Sequence, residues 1–471
     1  MTGFHSSVRR ATRFAVCADR WQWVLLLAAA PFLLFPSAAF TPVLLVVPAM
    51  WIAAWIAGRE PLPRTPLNGA LGVLFFMVLV STWATYDMAQ SLSKVAGVVL
   101  GIGVFFVFAL SGEHPIHWWV GLLVFLAAGL GIAVIGLFGT QFGTKIGVLV
   151  PITSRLTPSI TGLPGAELGF SPNELAGAVV WVLPLLINLA LLAVLRNDFL
   201  RRRIGAAWAR VVAGSLVLSV LFVFAIFVLF QSRGGYLGFV IAEIAALLVV
   251  APPRARWALI GALVGLGILG LYAVRVNPDF LVLLFWGSND VNAYDPTATI
   301  ETVNGRMELW VRAICGIQDF PLTGMGMNTF RRVVHVLYPL VLIAPDTEIS
   351  HAHNEFLQAA LDLGIPGLIA FVALYLIAFW ILAQVWKSAE GFALAPLTRA
   401  IALGCGAGFG AHMIYGMTEV VALGAKPGFV FWMLLGLVAG LYQQTRSGQM
   451  AAWLTIMRRA GFSQKESGRG D

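Results

Sequence analysis

The chain has 471 residues, of which 59% are hydrophobic and 11% are charged, and its formal net charge is +8. Soluble domains carry about 25% charged residues, so this composition excludes an ordinary soluble protein and is typical of a chain that crosses a lipid bilayer. The positive charge does not indicate nucleic-acid binding, because Lys and Arg lie in short clusters between apolar runs and form no basic stripe.

About 12 apolar runs are candidates for transmembrane helices, which need about 20 apolar residues to cross a bilayer. They cover approximately residues 23–35, 42–57, 67–83, 95–111, 118–140, 173–195, 210–231, 236–250, 257–276, 365–386, 397–418 and 429–443. The predicted fold class is therefore an all-α integral membrane protein. We expect spans one to nine in residues 1–276, a helical periplasmic loop in 277–364, spans ten to twelve in 365–443 and a cytoplasmic tail in 444–471.

The distribution of Lys and Arg predicts the orientation of these spans. With the N-terminus in the cytoplasm, the cytoplasmic segments hold 20 of the 30 basic residues. A cleavable signal peptide at the basic start is the alternative, but cleavage there would invert the charge pattern of all later spans. We therefore predict an uncleaved first span and both termini in the cytoplasm. The three cysteines suggest neither a disulfide nor a thiolate metal site.

Two connections on the non-cytoplasmic side are long, at about 141–172 and 277–364, and long loops are commonly functional. In the second, apolar residues at helical spacing predict a helix with Arg306 in its first turn; they are Met307, Trp310, Val311 and Ile314. A Pro- and Gly-rich bend follows. A further short helix is predicted over 354–363, with Gly364 at its C-terminal cap and Pro366 in the first turn of the next span.

Two histidines stand at the start of that short helix, in the stretch "SHAHNEFLQAALDLGIPG". The positive end of a helix disfavours imidazolium, so we expect His353 to be neutral and able to accept a proton near pH 7. Asn354 or Glu355 could fix its tautomer. The alternative is that Ser350, His351 and Asn354 only satisfy the free backbone donors of the helix start.

A zinc site is another interpretation of the His-x-His pattern, with His335, Asp346 or Glu348 as conceivable further ligands. The third ligand has to be assumed, however, and no thiol is near. We therefore predict no metal and no cofactor.

Several arginines share the same face, where positive charge is disfavoured during membrane insertion. Arg233, in "QSRGGYLG", lies in a predicted turn of about five residues between two spans. A guanidinium held by a tight glycine-containing turn is well suited to bidentate phosphate recognition. The other arginines on this face are Arg155, Arg306, Arg312, Arg331 and Arg332. The alternative for each is contact with lipid headgroups, most of all for Arg331 and Arg332.

Four segments, in this order, resemble the successive signatures of the O-antigen ligase and polymerase family of bacterial inner-membrane glycosyltransferases. They are "SRGG" at 232–235, "GR" with a following Trp at 305–310, "DFPLTGMGMNTF" at 319–330 and "HAHNEFLQAALDLGIPGLIAF" at 351–371. The last is the most specific. The resemblance covers roughly residues 70–440, and the span layout with one large late loop agrees with it.

The resemblance implies a fold of the lipid-carrier (GT-C) type and transfer of a glycan from undecaprenyl diphosphate on the periplasmic face, without a nucleotide sugar or metal. The motif histidine of the family corresponds to His353, and its two motif arginines to Arg233 and Arg306. Further candidates for substrate binding are His351, Asn354, Arg155 and Arg312. The expected partners are the lipid-linked glycan donor, a lipid A–core oligosaccharide acceptor and membrane lipids, with no nucleic acid.

Within the family, a ligase is favoured over an O-antigen polymerase or a protein O-oligosaccharyltransferase, because the chain has one dominant periplasmic loop and no appended soluble domain after its last span. A transporter or flippase is an alternative from another class. Transporters place ionisable groups near mid-membrane, and the candidates here are few, namely Glu243, His412 and Glu419.

Overall fold

The computed structural model of the protein describes residues 24, 28–29, 42–43, 45–56, 58, 62–143, 145–162, 166–276, 303–344, 347–390, 394–424 and 426–447. Most of the predicted first span, residues 277–302 of the long loop and the tail beyond residue 447 lie outside the described residues.

The described residues form helices joined by turns, and among them the only β-type pairing is an isolated bridge between Thr140 and Phe170. This agrees with the predicted all-α class. The described α-helices of eight residues or more are α1 (Val46–Ile56), α2 (Asn68–Ala84), α3 (Met88–Leu110), α4 (Pro115–Gly139), α5 (Pro172–Leu195), α6 (Asn197–Ile204), α7 (Ala206–Leu229), α8 (Arg233–Val250), α9 (Pro253–Val276), α10 (Val303–Asp319), α11 (Phe330–Leu337), α12 (Glu355–Ser388), α13 (Ala395–Tyr415) and α14 (Phe429–Arg446).

Eight of the described helices are long and apolar enough to cross a membrane, namely α3, α4, α5, α7, α8, α9, α12 and α14. The shorter apolar helices α1 and α2 and the 21-residue helix α13 coincide with three more of the predicted spans. The chain is thus a multi-pass membrane protein, and the exact number of spans stays a prediction.

The core of the bundle is built around α5 and α14, which are buried along most of their length. Helix α13 packs against both α5 and α8, and α14 packs against α3. Trp118, Trp181 and Trp432 are among the largest fully buried side chains. Helix α9 has an apolar surface that none of its described neighbours covers, as expected for a helix that faces lipid.

The described part of the long loop has a small hydrophobic core of its own, which includes Leu309, Phe330, Val334, Ile343 and Ile349. The predicted helix is present as α10, but its buried hydrophobic residues are Leu309 and Ala313. The apolar repeat seen in the sequence faces outward instead, with Met307, Val311 and Ile314 each about half exposed.

Helix α12 is interrupted at Gly364, whose φ of 69° and ψ of 177° are not helical. The Pro- and Gly-rich bend packs on this interruption: Met325 N donates to Leu361 O at 2.7 Å, and Ile365 N donates to Pro321 O at 2.7 Å. A Cβ at Gly364 would lie 2.5 Å from the carbonyl oxygen of Leu322. The predicted end of the short helix at Gly364 is therefore confirmed.

Candidate functional site

The two histidines of the 351–353 turn face one carboxylate oxygen. His351 Nε2 lies 3.1 Å and His353 Nδ1 lies 3.3 Å from Oε1 of Glu419, and all three side chains are at least 85% buried. The other carboxylate oxygen accepts a hydrogen bond from Asn173 Nδ2 at 3.1 Å. His353 has a left-handed φ of 48°, a conformation that non-glycine residues adopt at a cost and that clusters at functional sites.

Hydrogen bonding within the turn determines the tautomer of His351. The backbone N–H of His353 donates to His351 Nδ1 at 3.2 Å, so in the neutral ring the proton is on Nε2. Nε2 is the ring nitrogen that lies 3.1 Å from Glu419 Oε1. The rings of His351 and His353 are close, with centroids 4.3 Å apart.

The electrostatics of the cluster favour an ionised carboxylate beside a neutral His351. Burial alone would raise the pKa of the Glu419 carboxyl, but His353, His351 and Arg306 outweigh burial and hold that pKa well below its usual range. Burial is also the largest influence on His351 and lowers its pKa to about 3, against the attraction of Glu419. At neutral pH, Glu419 is therefore an acceptor that orients its neighbours.

The segment between α13 and α14, residues 416–424, joins the motifs of the site, and we call it the 416–424 loop. Arg306, from α10, donates through Nη1 to Thr418 O at 2.9 Å. Gly234, of the "SRGG" motif, is so close that a Cβ there would lie 2.2 Å from Thr418 Oγ1. Glu419 follows Thr418 directly, so the loop brings the arginine motifs next to the histidines.

Asn354 and Glu355 do not contact His353 as the orienting groups that the sequence suggested. Asn354 caps α12, because its Oδ1 accepts from the backbone N–H groups of Phe356 and Leu357. Its Nδ2 also donates to Met417 O at 3.2 Å. The buried carboxylate of Glu355 accepts from the backbone of the 416–424 loop, at Val421 and Leu423. Both residues thus hold the loop in position, and the carboxylate beside His353 is that of Glu419.

The other predicted arginines lie in different surroundings. Arg233 is the first residue of α8 and does not lie in a turn of about five residues, because α7 ends at Leu229 and Ser232 caps α8. Arg312 forms an ion pair with Glu308 at 3.6 Å, one turn away on α10. Arg155 is exposed just after the short helix Val150–Thr153.

His351, His353 and Glu419 could in principle hold a metal ion, since their ligand atoms lie within 4.8 Å of one another. This set differs from the further ligands that the sequence suggested. A metal-binding histidine needs the lone pair of the ligating nitrogen and usually donates through its other nitrogen. In His351, Nδ1 instead accepts a hydrogen bond, which leaves the proton on the Nε2 that faces Glu419. This hydrogen bond is the reverse of the one that a metal-binding histidine makes through its second nitrogen.

Glu419 is the residue of the site that sequence reasoning missed. On the sequence alone, Glu419 is only a candidate mid-membrane ionisable group of a transporter. In the structure, α13 ends at Tyr415 and Glu419 lies outside that helix. The signal that could have found it is a single acidic residue at the end of an apolar run, on the same predicted face as the histidine motif. By contrast, Glu243 lies inside α8 and His412 in the last turn of α13.

The fold and the site together define a multi-pass helical membrane protein with a buried His–Glu cluster, flanked by arginine, at one end of its bundle. Residues 217–372 match the family model described as O-Antigen ligase. The matched residues include the arginine and histidine motifs, and the match confirms the resemblance to this family that the motifs predicted. Comparison with curated proteins gave no match.

Proposed function

We propose that the protein is an O-antigen ligase, a glycosyltransferase that moves a glycan from undecaprenyl diphosphate to the lipid A–core oligosaccharide. The observation that carries the proposal is the shared contact of His351 and His353 with Glu419, beside Arg306. This arrangement has the parts that such a transfer needs: a base for the acceptor hydroxyl and fixed positive charge for the departing diphosphate.

His353 is the proposed general base. With Nδ1 directed at the ionised Glu419, the proton of the neutral ring is stabilised on Nδ1, and Nε2 keeps its lone pair for the acceptor hydroxyl. As the hydroxyl attacks the anomeric carbon, its proton passes to Nε2 and Glu419 stabilises the resulting imidazolium. A positioned base of this kind contributes about 10²–10⁴-fold in rate.

Arg233 and Arg306 are the proposed partners of the diphosphate. A good leaving group needs little acid help once its charge is neutralised, and guanidinium groups provide that neutralisation electrostatically. The contacts of Gly234 and Arg306 with Thr418 support placing both arginines beside the histidines. Attack from the face opposite the diphosphate inverts the anomeric configuration, and the mechanism uses no metal.

Purified protein with lipid-linked glycan and lipid A–core acceptor tests this function in detergent, where no second compartment exists and transport cannot be scored. We expect wild type to transfer with inversion and His353→Ala to lose at least about 10²-fold in rate while still binding the donor. Transfer by His353→Ala at near wild-type rate, or a product with retained configuration, contradicts the mechanism. Loss of activity on chelation, restored by one specific metal, contradicts the metal-free proposal.

The site would face the periplasm of the bacterial inner membrane. Cys315, on α10, is partly exposed and allows a direct test. An impermeant thiol reagent should label it in intact spheroplasts, and a variant with Cys315→Ser serves as control. Labelling only after the membrane is opened contradicts this orientation.

An O-antigen polymerase is the second candidate, because the motifs resemble a family that contains both ligases and polymerases. The same assay distinguishes them: a polymerase lengthens the lipid-linked glycan in the absence of lipid A–core, and a ligase does not.

A further inference from the structure

A polar cleft lies between the start of α3 and helix α11. Its volume is about 760 Å³, within the range of about 300–1,000 Å³ that small-ligand pockets occupy. Among the described residues that line it, Ala89 alone is apolar. The side chains that matter below are Asp87, Gln90, Asn328, Arg331, Arg332 and Glu348.

The lining holds two acidic residues and two arginines, and among the described residues only one acid and one arginine form an ion pair with each other. Asp87 caps α3 by accepting from Gln90 N at 3.1 Å, and Glu348 is paired with Arg331. Arg332 forms no ion pair with any described residue and is exposed at the cleft. A cleft that is polar on all sides, with one such guanidinium, suits a ligand rich in hydroxyl groups that carries an anionic substituent.

Hydrogen bonds connect the floor of the cleft to the histidine turn. The backbone N–H of Asn328, in the lining, donates to Asp362 Oδ1 at 3.1 Å. Gln358 Nε2 donates to the same oxygen at 2.8 Å, and Gln358 Oε1 accepts from the backbone N–H of Ala352 at 2.8 Å. Ala352 stands between His351 and His353. Three hydrogen bonds therefore connect the lining of the cleft, through buried side chains, to the turn that carries the proposed base.

From these contacts we infer that the cleft binds the saccharide part of one substrate, through hydroxyl groups and through a phosphate or carboxylate on the sugar that pairs with Arg332. This inference rests on the proposed function and deepens it. Contact with lipid headgroups would require only a basic residue at the membrane edge, whereas Arg332 lies in a cleft that hydroxyl, amide and carboxyl groups also line.

Direct binding tests the inference without depending on transfer. Full-length wild type and Arg332→Gln are titrated in an uncharged detergent with two probes, a phosphorylated core oligosaccharide freed of its lipid and an O-antigen glycan freed of its carrier. We expect one probe to bind wild type and to bind Arg332→Gln about 3- to 10-fold more weakly, since an exposed charge-assisted contact contributes at the low end of its range. The probe that responds identifies the acceptor or the donor as the source.

Arg201→Gln is the matched control. Arg201 is exposed on α6, at the far end of α5 from Asn173, and α5 is about 36 Å long at 1.5 Å per residue. The Arg201→Gln variant should bind both probes as wild type does. Arg332→Met, which also removes the charge and keeps most of the side-chain length, replaces Arg332→Gln if that variant does not fold.

Binding of neither probe by wild type, or unchanged binding by the folded cleft variant, overturns the assignment. So does an Arg332 effect that occurs only with anionic lipid present, which identifies a headgroup contact. None of these outcomes affects the transfer test of His353→Ala, so the cleft and the proposed function can fail separately.

Discussion

The carboxylate of Glu419 offers the sharpest test of how the site works. Its Oε1 lies 3.1 Å from His351 Nε2 and 3.3 Å from His353 Nδ1, and Oε2 accepts from Asn173. Glu419→Gln keeps the size of the side chain but removes its charge. An Asn173 amide flip can accommodate the new amide, so we expect the variant to fold.

The expected cost follows from the buried contact. A hydrogen bond to a charged group contributes about 1.5–3 kcal/mol, and each 1.36 kcal/mol changes a rate tenfold. If this contact strengthens as His353 becomes imidazolium, Glu419→Gln should lower the turnover number about 10- to 150-fold. The Michaelis constant for the donor should change little, because the carboxylate acts on the base and not on the diphosphate.

A double-mutant cycle under single-turnover conditions checks the coupling. Once His353→Ala has removed the base, adding Glu419→Gln should cost almost nothing further, because residues that act as a unit are not additive. Two independent, additive losses would refute the reasoning, and so would a wild-type rate for Glu419→Gln. Glu243→Gln, inside α8, is the control for the general effect of removing a membrane-embedded acid.

Three further predictions follow from the same contacts. Arg306→Lys should lower the rate of transfer at least tenfold with normal expression, because lysine offers a point charge and not a planar fork. Arg201→Lys is the control. Full activity of Arg306→Lys would contradict the role of Arg306 in the proposed site. Gly234→Ala should also lower the rate of transfer, since its Cβ would lie 2.2 Å from Thr418 Oγ1. Gly261→Ala is the control and should not lower the rate, because a Cβ there would meet no atom within 4 Å. Partial rescue of Gly234→Ala by Thr418→Ala would assign the effect to this contact. Burial lowers the pKa of His351 to about 3, so between about pH 6.5 and 3 the unfolded chain binds more protons at this residue than the folded chain does. The free energy of unfolding therefore falls as the pH falls through that window, by at most about 1.4 kcal/mol per pH unit. His351→Gln should therefore flatten the decline of the melting temperature below pH 6.5, and an unchanged slope would contradict a neutral buried His351.

Local chemistry made several features predictable from the sequence. Apolar runs of span length require helices in a bilayer, because every backbone polar group must be satisfied internally. Asn354 was a good candidate for a helix cap, since a short side-chain oxygen reaches the first free N–H groups. Gly364 before Pro366 marked the interruption of α12, because glycine adopts a positive φ without steric cost and proline suits a helix start. Each of these depends on neighbours within a few residues.

The identity of the orienting carboxylate depended on tertiary structure. Asn354 and Glu355 were nearer to His353 in the chain, but the helix start uses both of them for backbone hydrogen bonds, so neither contacts the ring. Glu419 reaches His353 only because α13 packs against α5 and α8 and delivers the 416–424 loop to the start of α12. Sequence periodicity indicates which face of a helix is apolar, but the face that meets a given partner is selected by packing over the whole bundle, and that selection decided which acid lies beside the histidines.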